Sequence, residues 1–299
     1  MTGVQTCALP ILLRLEDVQV RFKSKLALDL GRDIEILDGD RVGIIGSNGA
    51  GKTTLLKAVL GMVNYRGKIV RDISPEKIAV HMQQNDYIET VPIRIILEMI
   101  IGGPIKENPL VQEMIQFFEF EECLKKRWKH LSGGQKQRLT LILVLCQESP
   151  LTLFDEVTSG LDFETRQRLM DKLSEWYAQR QSTVLITSHY YAELDNLVNK
   201  ILFLDNGKVI DYGKREELFR KYCGNAIIIC DRTDLSQTLE KKHSVLHGPI
   251  NKIVFGCQNE EEESQITKKL SQNNINYRRS NNDIEIMTIN AKAAFYKEV

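Results

Sequence analysis

The stretch Gly46-Ser47-Asn48-Gly49-Ala50-Gly51-Lys52-Thr53 constrains the fold of this chain more than any other feature. It fits GxxxxGK[ST], follows the apolar run Val42-Gly43-Ile44-Ile45, and precedes the helix-compatible segment Thr54-Leu55-Leu56-Lys57-Ala58-Val59. Glycines let the backbone approach an anion closely, and the amide groups at the start of the helix point toward it. We therefore predict a phosphate-binding loop between a buried strand and a helix.

The residue types in this loop predict a nucleoside triphosphate ligand with Mg²⁺. Lys52 suits the β- and γ-phosphates, and the Thr53 hydroxyl suits the metal ion. We expect the whole loop from Gly46 to Thr53, together with Thr54, to contact the nucleotide. The alternative is a glycine-rich turn with an incidental lysine, which the flanking strand and helix disfavour.

A second candidate site follows the apolar run Leu151-Thr152-Leu153-Phe154, which ends in the carboxylates Asp155 and Glu156. A buried strand would carry both acids to the carboxyl edge of the sheet, where open α/β sheets bind ligands. Asp155 then suits the Mg²⁺ shell, and Glu156 suits the polarisation of an attacking water. The alternative is an ordinary strand end with exposed acids.

The composition of the chain disfavours several classes of function. The 299 residues include 40 Lys and Arg and 40 Asp and Glu, so the net charge of zero does not indicate a nucleic-acid partner. The most apolar windows, 93–101 and 139–146, are shorter than the roughly 20 residues that cross a bilayer. The six cysteines form no CxxC pair, which favours free thiols in a reducing cytoplasm over disulfides or zinc.

Strand and helix patterns divide the chain. Residues 1–11 resemble the translation of a short-read sequencing adapter and lack the basic start of a signal peptide, so we exclude them from the fold. From 12 to 222, strand patterns alternate with helical ones, which predicts a mostly parallel, covered sheet with an inserted helical subdomain at about 93–130. From 225 to 299 we predict a small α+β accessory domain with strands at 226–230, 252–255 and 283–287 and helices at 235–242 and 260–270.

Residues 12–222 resemble the nucleotide-binding subunit of ABC transporters, because further segments follow in that family's order. Leu131-Ser132-Gly133-Gly134-Gln135 matches the family signature, which implies that Ser132, Gly133, Gly134 and Gln135 reach the γ-phosphate on a partner subunit. Ser159-Gly160-Leu161-Asp162 is similar to the loop that couples the two sites, so Asp162 is expected to lie near nucleotide.

The resemblance also implies roles for three single residues. Gln83 is similar to the glutamine that joins the Mg²⁺ and water network, with Gln84 as the alternative register, and His189 is similar to the histidine that contacts the γ-phosphate. Phe22 lies where the family stacks an aromatic on adenine, although a strand Phe that faces the core is the alternative. One departure is Val157, which stands where the family has proline, and we expect a changed rate rather than lost function.

The resemblance implies an ATPase that uses ATP and Mg²⁺, closes as a homodimer or heterodimer around nucleotide, and powers a separate integral-membrane permease from the inner face of the cell membrane. A single cassette with a C-terminal extension is similar to exporter ATPases, so we expect export. One alternative is a soluble ABC ATPase that acts on ribosomes or DNA. Another is a nucleotide switch without hydrolysis, which the presence of Lys52, Asp155, Glu156 and His189 disfavours.

Overall fold

The computed structural model describes residues 9–82, 87–188, 190–233 and 238–297, which form two sheets covered by helices. The strands are β1 (Ile11–Phe22), β2 (Lys25–Asp29), β3 (Ile34–Leu37), β4 (Arg41–Ile45), β5 (Arg66–Arg71), β6 (Ile78–His81), β7 (Leu151–Asp155), β8 (Thr183–Thr187), β9 (Lys200–Asp205), β10 (Lys208–Lys214), β11 (Ala226–Asp231), β12 (Val245–Leu246), β13 (Lys252–Cys257) and β14 (Tyr277–Ser280). The helices are α1 (Lys52–Val59), α2 (Ile93–Ile101), α3 (Pro109–Phe117), α4 (Gly133–Cys146), α5 (Phe163–Ala178), α6 (Tyr191–Leu194), α7 (Arg215–Cys223), α8 (Glu260–Gln272) and α9 (Ile284–Lys297).

The centre of the larger sheet is parallel. Its strands run in the order β9-β4-β8-β7-β6, and each neighbouring pair among them is parallel. β7 and β8 are buried along their whole length, as expected for strands covered on both faces. The carboxyl ends of β4, β7 and β8 therefore meet at one edge, which brings the glycine-rich loop beside Asp155.

The other strands extend this sheet on one side, in antiparallel pairs except for the parallel pairing of β2 with β10. β10 pairs with β9, and β1 pairs with β2, β3 and β5. The helical subdomain lies at the other end, where α2, α3 and α4 pack around buried side chains that include Trp128 and Phe120. The predicted α/β fold with its inserted helices is confirmed. No helix within the described ranges has the length and apolar character to cross a bilayer.

The C-terminal sheet has the order β12-β13-β11-β14, with antiparallel pairs throughout. The predicted helix at 260–270 corresponds to α8, whose first turn is capped by Asn259 through the Glu262 amide at 2.9 Å. The predicted helix at 235–242 lies partly outside the described residues, since 234–237 are not among them.

The strand predicted at 283–287 is wrong. Asp283 Oδ1 accepts the amide of Ile286 at 2.9 Å, which satisfies a free donor in a first helical turn, and α9 continues to Lys297. Ile284, Met287 and Ala291 are buried at helical spacing, although the pair Ile284 and Ile286 also fits the alternation of a strand. The actual strand, β14, is the polar segment Tyr277–Ser280, which apolar alternation could not reveal.

The C-terminal region and the ATPase region share one hydrophobic core. Ile284 and Met287 of α9 belong to the same buried cluster as Leu194, Leu218 and Phe219. Since α9 packs on α6, α7 and β10, this helix is seated against the ATPase region over much of its length.

A half-buried carboxylate, that of Asp195, predicts an effect of pH on stability at this junction. Burial, helped by Asp283 and opposed by Arg215 and Arg278, raises the pKa of Asp195 to about 6, and its Oδ1 has no hydrogen-bond partner among the residues that the structure describes. A raised carboxyl pKa stabilises the fold below about pH 4, and that contribution is lost as the pH rises through about 6. We expect Asp195→Asn to raise the free energy of unfolding by about 1–2 kcal/mol at pH 7.5, after allowance for partial exposure, and to flatten its pH profile. Denaturant titrations at pH 5 and 7.5 measure this; an equal gain at both pH values would contradict it.

Candidate nucleotide site

The loop between β4 and α1 has the backbone geometry of an anion cradle. Gly51 has a φ of +104°, which favours glycine. A Cβ on Gly46 would lie 2.3 Å from the Leu204 carbonyl oxygen, so only glycine fits there without a shift of backbone. These two glycines let the loop close directly over the start of α1, where free amides favour phosphate.

The side chain of Lys52 fixes the closed conformation of this loop through hydrogen bonds. Its Nζ donates to the carbonyl oxygens of Gly46 at 2.9 Å and Ser47 at 3.2 Å, and only 5% of the residue is exposed. Burial lowers the pKa of Lys52, while Glu156 and Asp155 oppose that shift. A partly desolvated ammonium in this position is suited to a phosphate, whose charge would replace lost hydration.

Asp155 joins the loop to the centre of the sheet. Its Oδ1 accepts hydrogen bonds from Thr53 Oγ1 at 3.1 Å and Thr187 Oγ1 at 2.9 Å. The residue is fully buried, yet Oδ2 has no hydrogen-bond partner within the described ranges. A buried carboxylate oxygen without a donor, beside a hydroxyl, is a donor set that Mg²⁺ accepts. The residues present therefore fit the predicted metal ion.

Glu156 follows at the end of β7 in a left-handed conformation, with a φ of +51°. Its amide donates to Thr187 Oγ1 at 2.9 Å, which fixes the turn that carries the carboxylate. A non-glycine residue in this region is uncommon and concentrates at functional sites. No sequence motif pointed to Thr187, which contacts both acids, because only the pairing of β7 with β8 places it opposite Asp155.

A cavity of about 640 Å³ opens above the loop. Its lining includes Asn48 to Thr54 of the loop and Glu156, and also Phe22, whose side chain is 49% exposed at the end of β1. The structure thus brings together most of the predicted loop, the Glu156 carboxylate and the predicted adenine-stacking residue, and Asp155 is linked to this group through Thr53. Asn206 and Gly207 of the β9–β10 turn also line the cavity, and no sequence motif pointed to them.

The signature segment does not line this cavity. Ser132, Gly133 and Gly134 are exposed at the start of α4, and Ser132 Oγ accepts the Gln135 amide at 3.3 Å while Gln135 Oε1 accepts the Ser132 amide at 3.1 Å. This reciprocal cap makes a firm helix start that faces solvent.

The remaining predicted residues have separate positions. Asp162 is exposed and caps α5 by accepting the Thr165 amide at 2.9 Å. Gln83, its alternative Gln84, and His189 lie outside the described residues. Val157 is buried, and its carbonyl oxygen accepts a hydrogen bond from Gln137 Nε2 of α4 at 2.7 Å, so the position usually held by proline is tied to the signature helix.

Comparisons with known proteins agree with this geometry. A protein-family model described as ABC transporter matches residues 31–159. The methionine import ATP-binding protein MetN of Clostridium tetani is 26% identical over 289 residues, an alignment that covers 89% of this chain and 86% of that protein.

Solved structures agree on the fold. The dimeric ATP-binding cassette MJ0796 bound to ADP and Pi superposes with a TM-score of 0.59 at 23% identity, covering 68% of this chain and 98% of that one. CbiO1 of Clostridium perfringens, described as part of the ABC transporter complex cbiONQ, gives a TM-score of 0.58 at 24% identity, covering 71% and 92%. The family match over residues 31–159, with the glycine-rich loop, the paired carboxylates and the signature in order, shows that the chain contains an ABC-type P-loop ATPase domain.

Proposed function

We propose that this chain binds MgATP in the cavity above its glycine-rich loop and hydrolyses it to power a separate membrane permease. The observation that carries the proposal is that Lys52, Thr53 and Glu156 line one cavity, while the buried Asp155 accepts a hydrogen bond from Thr53 at 3.1 Å. Thr53 and Asp155 would hold Mg²⁺, and Gln83 remains a predicted third ligand. When bound, the ion neutralises charge on the phosphates.

Side chains of this chain orient the phosphates, bind the adenine and activate the attacking water. Lys52 and the loop amides orient the phosphates, and Phe22 stacks on adenine. The Glu156 carboxylate accepts a hydrogen bond from the attacking water and takes up its proton. His189 contacts the γ-phosphate in this proposal. The ATPase would work at the cytoplasmic face of the membrane, where its permease holds it.

The active site in this proposal needs two chains. Ser132, Gly133 and Gly134 are exposed yet absent from the lining of their own chain's cavity, which supports a contact with nucleotide on a second subunit. Gln135 and Asp162 lie at the same interface in this arrangement. The second subunit is another copy of this chain or a relative with the same motifs, and ATP between them holds the pair closed.

An apolar face on α2 supports the permease partner. Met99 is 66% exposed, and Ile95, one helical turn earlier, is also exposed. Contiguous exposed apolar surface is typical of protein-protein interaction sites.

Coexpression tests the permease proposal. The tagged chain, produced with the neighbouring membrane-protein gene of about six predicted spans, should copurify with its product. Met99→Glu should reduce that copurification at least about tenfold, because a charge would be buried at the interface. Met62→Glu is the matched control, since Met62 is 63% exposed outside α2. Equal loss in both variants, or copurification with RNA in place of the membrane protein, would contradict the proposal.

Export and import are the two possible directions of transport, and one observation supports each. A single cassette with a C-terminal extension supports export, whereas the similarity to a methionine import ATP-binding protein supports import. Proteoliposomes with the ATPase facing outward separate them: ATP-dependent accumulation of labelled solute in the lumen means export, and ATP-dependent loss means import. Labelled methionine, the solute in that relative's name, is the first probe.

A further inference from the structure

The last helix of the chain reaches the turn between β9 and β10. Lys292 Nζ of α9 donates to Asp205 Oδ1 at 2.6 Å, and the Tyr296 hydroxyl donates to Asp205 Oδ2 at 2.7 Å. Tyr296 OH also accepts from Asn206 Nδ2 at 3.3 Å. Two side chains one turn apart on the same helix thus hold both oxygens of one carboxylate.

The same turn contacts the phosphate-binding loop at two points. Ser47 Oγ donates to Asp205 Oδ1 at 3.1 Å, and the Gly207 amide donates to the Ala50 carbonyl oxygen at 3.0 Å. A Cβ on Gly207 would lie 2.7 Å from the Ala27 carbonyl oxygen, so the turn is also held from the side of β2. Asp205 is therefore a bridge with α9 on one side and the phosphate loop on the other.

The charges of Asp205 and Lys292 affect the binding of a phosphate ligand in the neighbouring loop. Burial opposes ionisation of Asp205, but the hydrogen bonds from Lys292 and Tyr296 outweigh it and keep the pKa of the carboxyl below its usual value. Lys292 is also near enough to contribute to the lowered pKa of Lys52. Without Lys292, the buried Asp205 carboxylate would lose the ammonium that donates to it, and its repulsion of a triphosphate in the neighbouring loop would increase.

Helix α9, which carries Lys292, is packed firmly against the ATPase region. Ile284, Met287 and Ala291 seat α9 in the same hydrophobic cluster as Leu194 of α6 and Phe219 of α7. Closely packed side chains transmit displacement rather than absorb it. This packing therefore fixes the position of Lys292 relative to Asp205.

We propose that Lys292 is a positioning residue that acts through Asp205 on Ser47, so that the C-terminal region sets the affinity of the phosphate-binding loop for ATP. This inference rests on the proposed function only in that nucleotide binds at this loop. It needs neither the permease nor the direction of transport.

The test measures the dissociation constant of a fluorescent ATP analogue with Mg²⁺ on the isolated full chain. We expect Lys292→Met to weaken binding about five- to tenfold, Tyr296→Phe about two- to threefold, and Lys292→Arg to bind within about twofold of the wild type. Lys297→Met is the matched control, because Lys297 is an exposed lysine on the same helix, and it should leave binding unchanged. Thermal unfolding of each variant separates lost affinity from lost fold.

A double-substitution cycle separates action through Ser47 from a general loss of structure. In a Ser47→Ala background, Lys292→Met should weaken binding less than about twofold further, because its route to the loop is already cut. Wild-type affinity in folded Lys292→Met, or a full additional loss in the Ser47→Ala background, would overturn the inference. A wild-type chain that fails to bind the analogue would overturn the nucleotide site itself, which is a distinct result.

Discussion

Glu156→Gln should lower the rate of ATP hydrolysis by about 10²- to 10⁴-fold and leave ATP binding intact. Glutamine keeps the size of the side chain and leaves the amide hydrogen bond to Thr187 in place, but it cannot take a proton from water. Phosphate release under saturating MgATP measures the rate, and a fluorescent ATP analogue measures binding.

Glu164→Gln is the matched control for this change. Glu164 is exposed in the first turn of α5 and does not line the cavity, so this variant should hydrolyse ATP at the wild-type rate. A Glu156→Gln variant that retains more than about a tenth of the wild-type rate would contradict the role proposed for the carboxylate.

Asp155→Asn should abolish the effect of Mg²⁺ on ATP binding and lower hydrolysis at least about 100-fold. The asparagine oxygen can still accept from Thr53 and Thr187, so the fold should survive. The buried oxygen without a donor, however, becomes an NH₂ group that cannot bind a cation. Titration of the ATP analogue with and without Mg²⁺ measures the effect.

Asp171→Asn provides the comparison, because Asp171 is exposed on α5, where its Oδ1 accepts a hydrogen bond from Gln167 Nε2 at 3.1 Å. It should keep the full dependence on Mg²⁺. If Asp155→Asn also kept that dependence, the metal ion would have to be held by other groups.

The parts of the site that sequence analysis predicted are those encoded by neighbouring residues. The glycine-rich loop contains its own strand exit, its glycines and its lysine within a few positions. Asp155 and Glu156 follow an apolar run directly, and parallel strands place their carboxyl ends at one edge. The local sequence pattern and the general geometry of parallel sheets were therefore sufficient to predict both the loop and the position of the two carboxylates.

The contacts that sequence analysis missed join residues far apart in the chain. Thr187 becomes a brace only because β8 pairs with β7 in one register. Asp205 and Lys292 are separated by 87 positions and belong to no motif. Contacts of this kind follow from packing, which no local pattern records.

The error at α9 has a similar cause. The segment from Asp283 to Met287 carries apolar residues that satisfy a strand and a helix equally over so short a span. The helix is favoured because Asp283 caps it and because its buried face continues to Ala291 against α6 and α7. Tertiary packing decided what the local pattern left open.

The mass of the Glu156→Gln variant in solution tests the shared site most directly. Light scattering at saturating MgATP should give twice the mass of one chain, because slow hydrolysis leaves ATP between the loop of one subunit and the signature of the other. Adding Ser132→Arg should return the mass to that of a single chain, since Ser132 is exposed and lies outside its own chain's cavity. A Glu156→Gln variant that binds ATP but keeps the mass of one chain, or a doubled mass that Ser132→Arg leaves unchanged, would contradict the account.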